Sequence, residues 1–472
     1  MAYRSVRGMA LAGSMLAGFA LGPGALAQGD VAAVPGDAAG ARVIGEALVT
    51  GTDGLRQDVA EGLRLLEEAA AGGDVAARAS LGKMLLDGIV VPADPARAVA
   101  LLDAAAAAGD ARASRVLANA LLWGGPVAAD PARARTLLTA AAEAGDVEAM
   151  RVLGDNLVGG WALERDAVEG RAWLDRAIAA GDVEARIALG GFLLYGIGLD
   201  TDPEAALVQF EAAAEAGNGA GLESYGEWVM WNRRGPSRAE AYLRRAAEMG
   251  QAGAWTKLAE GAMYGYLGAD SRAKFPAFAE RARALGQDRV DVLEAERQMW
   301  GISMRANGPA ALAILDEAVE RGNAEALKAL VALKRDGNGM NVRRDRAGAR
   351  EALDRYGELL TPTEAAQLGL SLRVAEARTP QDFAPLAEAL DMAGPLRSAW
   401  FAGQLNAANP NFAIYLLQKR MRDEGLYAGP LDGVATRSTL RAMLRACHML
   451  ADTSGCADSV MNPRVIAALL TR

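Results

Sequence analysis

The side chains that most often perform chemistry are scarce in this 472-residue chain. It has one histidine, His448, and two cysteines, Cys447 and Cys456. A single histidine excludes the common acid–base and triad designs that distribute histidines across a site. Many of the carboxylates recur at one repeat position, where they are explained as helix caps, so they do not indicate a glycosidase-like pair. We therefore predict a protein that is not an enzyme and that uses no cofactor or metal.

The two cysteines lie nine residues apart. In an oxidising compartment their default state is a disulfide. Closing so short a loop contributes about 2.7 kcal/mol in the chain-entropy model. Two free thiols are the alternative. A zinc site is less favoured, because no second Cys/His pair accompanies the two residues.

The segment 1–27 predicts a secretory signal peptide. Arg4 and Arg7 precede an apolar stretch from Met9 to Leu21, and Ala25-Leu26-Ala27 has the small-residue pattern of a cleavage site. We predict cleavage before Gln28 and export to the periplasm. No later stretch is long and apolar enough to span a membrane. The net charge of −9, with basic residues dispersed, argues against a nucleic-acid partner.

A period of 36 residues organises much of the chain. It is marked by glycines that Asp, Asn or Gln follows, with one interval shortened to 33: Gly73, Gly109, Gly145, Gly181, Gly217, Gly250, Gly286 and Gly322. A second repeated position carries residues that favour a helix N-cap: Asp58, Asp94, Asp130, Asp166, Asp202, Gly235, Ser271 and Asn307. Each unit therefore predicts two helices, one ending at the marker glycine and one beginning directly after it.

Several short stretches within this period match one known pattern. Leu81-Gly82 with Gly88, Leu189-Gly190 with Gly196, and "AAAEAGD" from Ala140 to Asp146 resemble the Sel-one-like repeat, a relative of the tetratricopeptide repeat. The resemblance covers about residues 55–340, with a weaker helix pair to 360. It implies an all-α fold, namely a right-handed α-solenoid of antiparallel helix pairs that binds protein partners. We predict a signal peptide over 1–27, a linker over 28–54, the repeat array over 55–360 and a helical extension over 361–408.

The end of the chain follows a different pattern. Seven residues match the small three-helix peptidoglycan-binding domain position by position: Leu417, Gln418, Gly425, Gly429, Asp432, Gly433 and Thr439. The resemblance implies a small helical domain over 409–472 that docks to peptidoglycan, with Leu426, Tyr427, Asp432 and Thr439 as candidate glycan-binding residues. The family's aromatic is replaced by Leu426, and its Phe-Gly by Ala435-Thr436. The alternative is a structural cap on the array.

One position just before the loop of each repeat is rich in aromatic residues. Its occupants are Asp87, Trp123, Gly159, Tyr195, Trp231, Tyr264, Trp300 and Asp336, and Trp161, Trp228 and Tyr266 lie nearby. The five aromatic occupants are candidates for a stripe that binds a partner peptide or sugar rings. The interpretation that we favour is that these rings wedge between helix pairs as core, because aromatics at helical spacing usually pack.

These patterns together predict a periplasmic scaffold or adaptor. Its repeats would bind protein partners and its C-terminal domain would dock to peptidoglycan, in envelope assembly, polysaccharide export or signalling. The alternatives are a direct polysaccharide-binding protein and a periplasmic inhibitor of a membrane sensor.

Overall fold

The computed structural model of the chain describes residues 37–392, 396, 398–450, 453–457 and 459–472. Over these residues it contains 24 α-helices and no strand, which confirms the predicted all-α fold. Among them, no helix is both long and apolar enough to cross a membrane. The predicted signal peptide and its cleavage site before Gln28 lie outside the described residues. The chain divides into two compact units, Met1–Gln251 and Ala252–Arg472.

The described part of the first unit consists of twelve helices arranged as six pairs. They are α1 (Ala38–Thr50), α2 (Val59–Ala71), α3 (Val75–Asp87), α4 (Pro95–Ala107), α5 (Ala111–Trp123), α6 (Pro131–Glu143), α7 (Val147–Gly159), α8 (Ala167–Ala179), α9 (Val183–Tyr195), α10 (Pro203–Glu215), α11 (Ala220–Trp231) and α12 (Pro236–Glu248). Each odd-numbered helix packs on the even-numbered helix that follows it. This is the two-helix repeat that the glycine period predicts.

The boundaries of these helices follow from capping chemistry. The Asp94 side chain accepts a hydrogen bond from the backbone N–H of Arg97 at 3.1 Å, and Pro95 occupies the first helical position, where its missing N–H costs nothing. Gly109 adopts φ 88°, a conformation that other residues rarely take. Asp110 then caps the next helix by accepting from the N–H of Ala113 at 2.7 Å. Asp94 thus defines the start of α4, and Gly109 with Asp110 defines the turn from α4 to α5.

Glycines within the helices allow the two members of a pair to touch through their backbones. A Cβ atom added to Gly154 on α7 would lie 2.8 Å from the carbonyl oxygen of Gly170 on α8. A Cβ atom at Gly82 on α3 would lie 2.8 Å from Cγ of Leu102 on α4. The Leu-Gly element of the repeat therefore has a packing role, because any larger side chain would separate the helices.

The repeats begin earlier than the sequence predicts. Residues 28–54 were expected to form a linker, yet Ala38–Thr50 is a helix that Asp37 caps and that packs on α2. Leu48 and Val49 contribute to the core of this first pair. The linker prediction is therefore wrong from residue 38 onward. Its capping side chain, its apolar face and the marker Gly36-Asp37 were all present in the sequence, but this marker lies 37 residues before Gly73 instead of 36.

The described part of the second unit also contains twelve helices. They are α13 (Ala252–Tyr264), α14 (Ser271–Ala284), α15 (Arg289–Trp300), α16 (Gly308–Glu320), α17 (Ala324–Asp336), α18 (Arg346–Tyr356), α19 (Pro362–Glu376), α20 (Pro380–Met392), α21 (Ala399–Ala408), α22 (Pro410–Asp423), α23 (Arg437–Cys447) and α24 (Pro463–Thr471). Ser271 was predicted as an N-cap, but it is the first residue of α14. It is buried, and its hydroxyl donates to the carbonyl of Gly268 at 2.7 Å.

The last helices share one hydrophobic core. Phe383 of α20 contacts the rings of Phe412 and Tyr415 of α22, with ring centroids 5.6 Å apart in both pairs. Phe401 and Leu405 of α21 belong to the same buried cluster. The predicted boundary at residue 409 therefore runs through a common core, and α20 and α21 pack with the C-terminal helices.

Candidate functional site

The aromatic position of the repeats is exposed to solvent in the first unit. Trp123 and Trp231 are the last residues of α5 and α11, and their side chains are 62% and 36% exposed. Tyr195 ends α9 and is half-buried. An indole that is 62% exposed loses most of the hydrophobic stabilisation available to a buried ring. Contribution to the core therefore does not explain why tryptophan stands there.

The repeat with glycine at this position supplies an aromatic ring from its loop. Gly159 ends α7, and a Cβ atom added to it would overlap Cε2 and Nε1 of Trp161. The indole of Trp161 thus occupies the place where a side chain on residue 159 would begin, and it is 43% exposed. In the sequence Trp161 lies two residues after the aromatic position, and only the fold of the loop brings its ring to that position. We call Trp123, Trp161, Tyr195 and Trp231 the aromatic row.

Contacts between repeats fix the spacing of the row. Helix α7 contacts α9, and α9 contacts α11, so these ring-carrying helices pack side by side. Ion pairs connect successive repeats: Nε of Arg115 lies 3.1 Å from the carboxylate of Asp146, and Nε of Arg151 lies 3.2 Å from that of Asp182. Both carboxylates are also helix caps, so each joins two repeats. The rings are therefore carried on helices that are held in register.

Carboxylates lie one helical turn before two of the four row positions. Asp155 precedes Gly159 by four residues on α7, and Glu227 precedes Trp231 by four on α11, which places each on the face that leads to a ring. Burial raises the pKa of Asp155 to about 6, against the opposing effect of Arg151. The row therefore combines apolar ring faces with acidic groups.

The second unit has two exposed aromatics at the same repeat position. Tyr264 is 37% exposed and stacks on Tyr266, with ring centroids 5.8 Å apart, and Trp300 is 48% exposed. Burial raises the pKa of Tyr264, and the nearby carboxylates Glu296 and Glu260 raise it further. These rings extend the pairing of aromatic and acidic residues to the second unit.

The exposure of these rings corrects the interpretation favoured from the sequence. Trp123, Trp231, Tyr264 and Trp300 do not wedge between helix pairs as buried core, and Tyr195 is only half-buried. Trp228, by contrast, does pack: it stacks on the buried ring of Tyr225 with centroids 6.0 Å apart. Helical spacing does not separate the two cases, because the face that a residue presents depends on which neighbouring helices cover it.

The turn before α23 is organised by one buried amide. The Gln418 side chain is fully buried, and its Nε2 donates to Oδ1 of Asp432 at 2.9 Å and to the carbonyl of Val434 at 3.1 Å. Its Oε1 accepts from the backbone N–H of Asp432 at 3.0 Å and of Gly433 at 2.8 Å. Hydrogen bonds from the Gln418 side chain and the Val434 backbone hold the pKa of Asp432 below its ordinary value.

Two of the four candidate glycan-binding residues are buried against this turn. Thr439 is fully buried and donates to the carbonyl of Val434 at 3.0 Å, and Tyr427 is 5% exposed and donates to the carbonyl of Pro430 at 2.9 Å. Leu426 is half-buried against the core. Asp432 accepts from Gln418 and from the N–H of Val434. These contacts give the turn its shape and leave little of Tyr427 and Thr439 for a ligand.

The two cysteines form a disulfide, as predicted. Cys447 at the end of α23 and Cys456 in a short 3₁₀ helix are joined with their Cα atoms 5.9 Å apart, and both are buried. The bond ties the loop that precedes α24 to α23. Among the described residues, no group of three or more His, Cys, Asp or Glu is placed to hold a metal ion.

An array of helix pairs with a fixed period is an α-solenoid, a class defined by contacts between neighbouring repeats. The Sel1 repeat model matches residues 38–74, 75–110, 111–146, 147–182, 183–218 and 222–251. The chain therefore carries six Sel1 repeats, each a helix pair of the first unit. The match ends at residue 251, although α13 with α14, α15 with α16 and α17 with α18 also form pairs.

Solved structures with similarity to the chain include other proteins of this kind. A Sel1 repeat protein from Oxalobacter formigenes is 25% identical over 63% of this chain and 88% of its own, with a TM-score of 0.46. The protective antigen c5321 from uropathogenic Escherichia coli, which has an SLR fold, is 20% identical over 83% of this chain and 88% of its own, with a TM-score of 0.41. The immunity protein Pa5087 from Pseudomonas aeruginosa is 18% identical over 46% and 82%, with a TM-score of 0.30. No curated protein matches this chain.

Proposed function

We propose that the protein is a periplasmic scaffold whose aromatic row holds an extended segment of a partner protein. The observation that carries this proposal is the presentation of exposed or half-buried aromatic rings by four consecutive repeats, Trp161 restoring the one that the helix lacks. Sel1 repeats mediate protein interactions and are typical of non-enzymatic scaffolds. Tryptophan and tyrosine are also the residues that most often dominate protein–protein affinity.

The proposed compartment has two supports. The segment 1–27 has the pattern of a secretory signal peptide. The disulfide between Cys447 and Cys456 is of a kind that persists in oxidising compartments and is rare in the cytosol. Both support export to the periplasm, and Ala25-Leu26-Ala27 supports cleavage before Gln28.

The row can be tested by removing its rings in the protein that begins at Gln28. We would capture partners from periplasmic extract with the W123A/W161A/W231A variant and with the parent, then measure affinity for the purified partner by calorimetry. We expect a loss of affinity of thirtyfold or more, since each hot-spot residue accounts for about 2 kcal/mol. The thermal midpoint should change little, because the rings are exposed.

A matched control keeps the test specific. Trp400 on α21 is 37% exposed and lies outside the row, so W400A removes an indole about as accessible as that of Trp231. Equal affinity of the triple variant and W400A for the partner would refute the proposal. If the triple variant instead lost affinity for purified polysaccharide, the row would be a glycan site, since flat sugar faces also stack on aromatic rings. A partner that proved to be a sensor domain would favour the inhibitor role.

Docking of the C-terminal helices to peptidoglycan is a second candidate function, supported by the match from Leu417 to Thr439. Burial of Tyr427 and Thr439 leaves Leu426 and Asp432 as its candidate contacts. Co-sedimentation of the protein from Gln28 onward with purified sacculi tests it, with soluble glycan strands as competitor. Truncation near Ala408 is a poor control, because it would expose the core shared by α20, α21 and α22. Failure to pellet would leave these helices a structural role.

A further inference from the structure

The solvent face of α23 carries arginines that lack an acidic partner among the described residues. Arg437, Arg441 and Arg445 are exposed and recur every four residues, which places them on one side of the helix. In the part of the chain that the structure describes, none of the three forms a salt bridge, and the guanidinium of Arg445 donates only to the carbonyl of Leu426. Arginines elsewhere, such as Arg115 and Arg151, lie against carboxylates. The described carboxylates therefore leave the positive charge of this face unneutralised.

Helix stability does not account for these residues. Arg437 is the first residue of α23, where the helix dipole disfavours a cation, and the first turn contains no acidic residue. Like charges four residues apart repel one another and destabilise a helix slightly. Only Arg445, in the last turn, is favoured by the helix dipole. Arg437 and the repulsion between neighbouring arginines oppose the stability of the helix, which points to a role outside the fold.

The charge of this region contrasts with that of the whole chain. Residues 409–472 contain eight Lys and Arg against five Asp and Glu, a formal charge of +3, whereas the whole chain carries −9. An anionic surface would therefore be attracted to this end of the sequence even though the protein as a whole is acidic.

Exposed apolar side chains accompany the arginines. Leu444 lies on the same side of α23 and is 41% exposed. Val434, just before the helix, is 51% exposed, and Met449, just after it, is 61% exposed. A soluble anionic polymer would engage the arginines but not these side chains. The boundary between lipid headgroups and acyl chains accommodates both, because it offers negative charge next to hydrocarbon.

We propose that Arg437, Arg441, Leu444 and Arg445, which we call the arginine face, dock the protein on the surface of a membrane that contains anionic phospholipid. The contact is peripheral: the arginines lie at the level of the headgroup phosphates, and Leu444 enters the interface. This goes beyond the scaffold function, since it requires neither the aromatic row nor a partner protein.

Vesicle co-sedimentation tests the proposal with the protein from Gln28 onward, which retains every described residue and lacks the apolar segment that could itself bind lipid. We expect binding to vesicles of phosphatidylcholine and phosphatidylglycerol mixed in a ratio of roughly two to one, and none to pure phosphatidylcholine. The R437Q/R441Q/R445Q variant should bind roughly a hundredfold more weakly, since each basic side chain near an anionic surface gives about a fivefold gain. Binding should also weaken as salt increases.

Two further variants test whether binding depends on the arginine face itself and not only on the net charge of the protein. R56Q/R112Q/R281Q removes the same charge from exposed arginines elsewhere and should leave binding close to that of the parent. L444S should weaken binding at low salt without any change in charge. The proposal is overturned if the parent does not bind the anionic vesicles, or if the two arginine variants bind equally. It is also overturned if the arginines are needed for pelleting with sacculi but not with vesicles.

Discussion

The Sel1 repeats of the first unit and the C-terminal core of the second are stabilised in different ways. In the repeats, the substantial contacts of each helix are with the next one or two helices along the chain, and the same cap, glycine and alanine positions recur. In the C-terminal core, α21 packs on α24 and α17, and one glutamine side chain organises a whole turn. Stability is therefore distributed over many equivalent positions in the first region and concentrated in a few residues in the second.

This difference bears on where function can lie. A repeat tolerates a change on its exposed face, because its stability comes from caps and from small residues between the helices. The aromatic row occupies such a face. In the C-terminal turn the polar groups hydrogen-bond to one another, so few of them are available to bind a ligand.

The largest effect that we predict comes from replacing Gln418 by leucine. The change leaves the buried N–H groups of Asp432 and Gly433 without an acceptor, and we expect a loss of about 4 kcal/mol in the free energy of unfolding of the second unit. Hydrogen exchange measured by mass spectrometry should show lost protection in α22 and α23, with α5 to α8 unchanged. Gln381 is exposed, so Q381L should alter stability by less than about 0.5 kcal/mol.

The next effect concerns the disulfide. In the C447A/C456A variant the loop between positions 447 and 456 is no longer closed, and we expect a loss of about 2.7 kcal/mol. Urea unfolding of the parent with and without reductant should reproduce most of this difference. Reductant should not affect the double variant. A variant as stable as the oxidised parent would show that the core holds α23 and α24 without the bond.

A pair of glycine substitutions tests the packing of the repeats. In G154A the new Cβ atom meets the carbonyl oxygen of Gly170, and we expect a loss of about 2 kcal/mol. Gly191 on α9 has no atom within 4 Å of such a Cβ, so G191A should stabilise the helix by up to about 1 kcal/mol. Thermal unfolding of the two variants should shift in opposite directions. Equal shifts would mean that the close contact of α7 with α8 is not needed.

The last prediction is that the stability of the two regions depends on pH with opposite sign. The pKa of Asp155 is about 6 in the folded protein, above its ordinary value of 3.8, so the folded state binds a proton that the unfolded state lacks between these values. Stability should therefore rise as pH falls from 7 to 4. D155N should remove this dependence in urea titrations at each pH.

Asp432 should behave in the opposite way. The pKa of Asp432 in the folded protein lies below its ordinary value of 3.8. Its ionised carboxylate therefore stabilises the folded state above pH 3.8, and this stabilisation is lost as pH falls through the folded-state pKa. Hydrogen exchange at pH 3 to 4 should therefore show the turn before α23 losing protection first. If the repeats lost protection first under these conditions, Asp155 would not act as described.

Much of the fold could be predicted because its causes are local. Asp94-Pro95 and Gly109-Asp110 define a helix start and a turn by backbone chemistry alone, and the sequence contains both. Repetition of these signals predicts the helix pairs. The same reasoning missed Ala38–Thr50, whose marker Gly36-Asp37 lies 37 residues before the next one instead of 36. It also failed at Ser271, where the hydroxyl bonds to Gly268 instead of capping.

The sequence by itself determined the period, the helix caps, the disulfide and the all-α class, since each depends on residues close together in the chain. Tertiary structure decided which rings are exposed, that Trp161 covers Gly159, and that Tyr427 and Thr439 face inward around Gln418. The physical reason is that burial depends on which distant residues arrive beside a side chain. Spacing along the chain can place residues on one face of a helix, but only packing decides whether another helix covers that face.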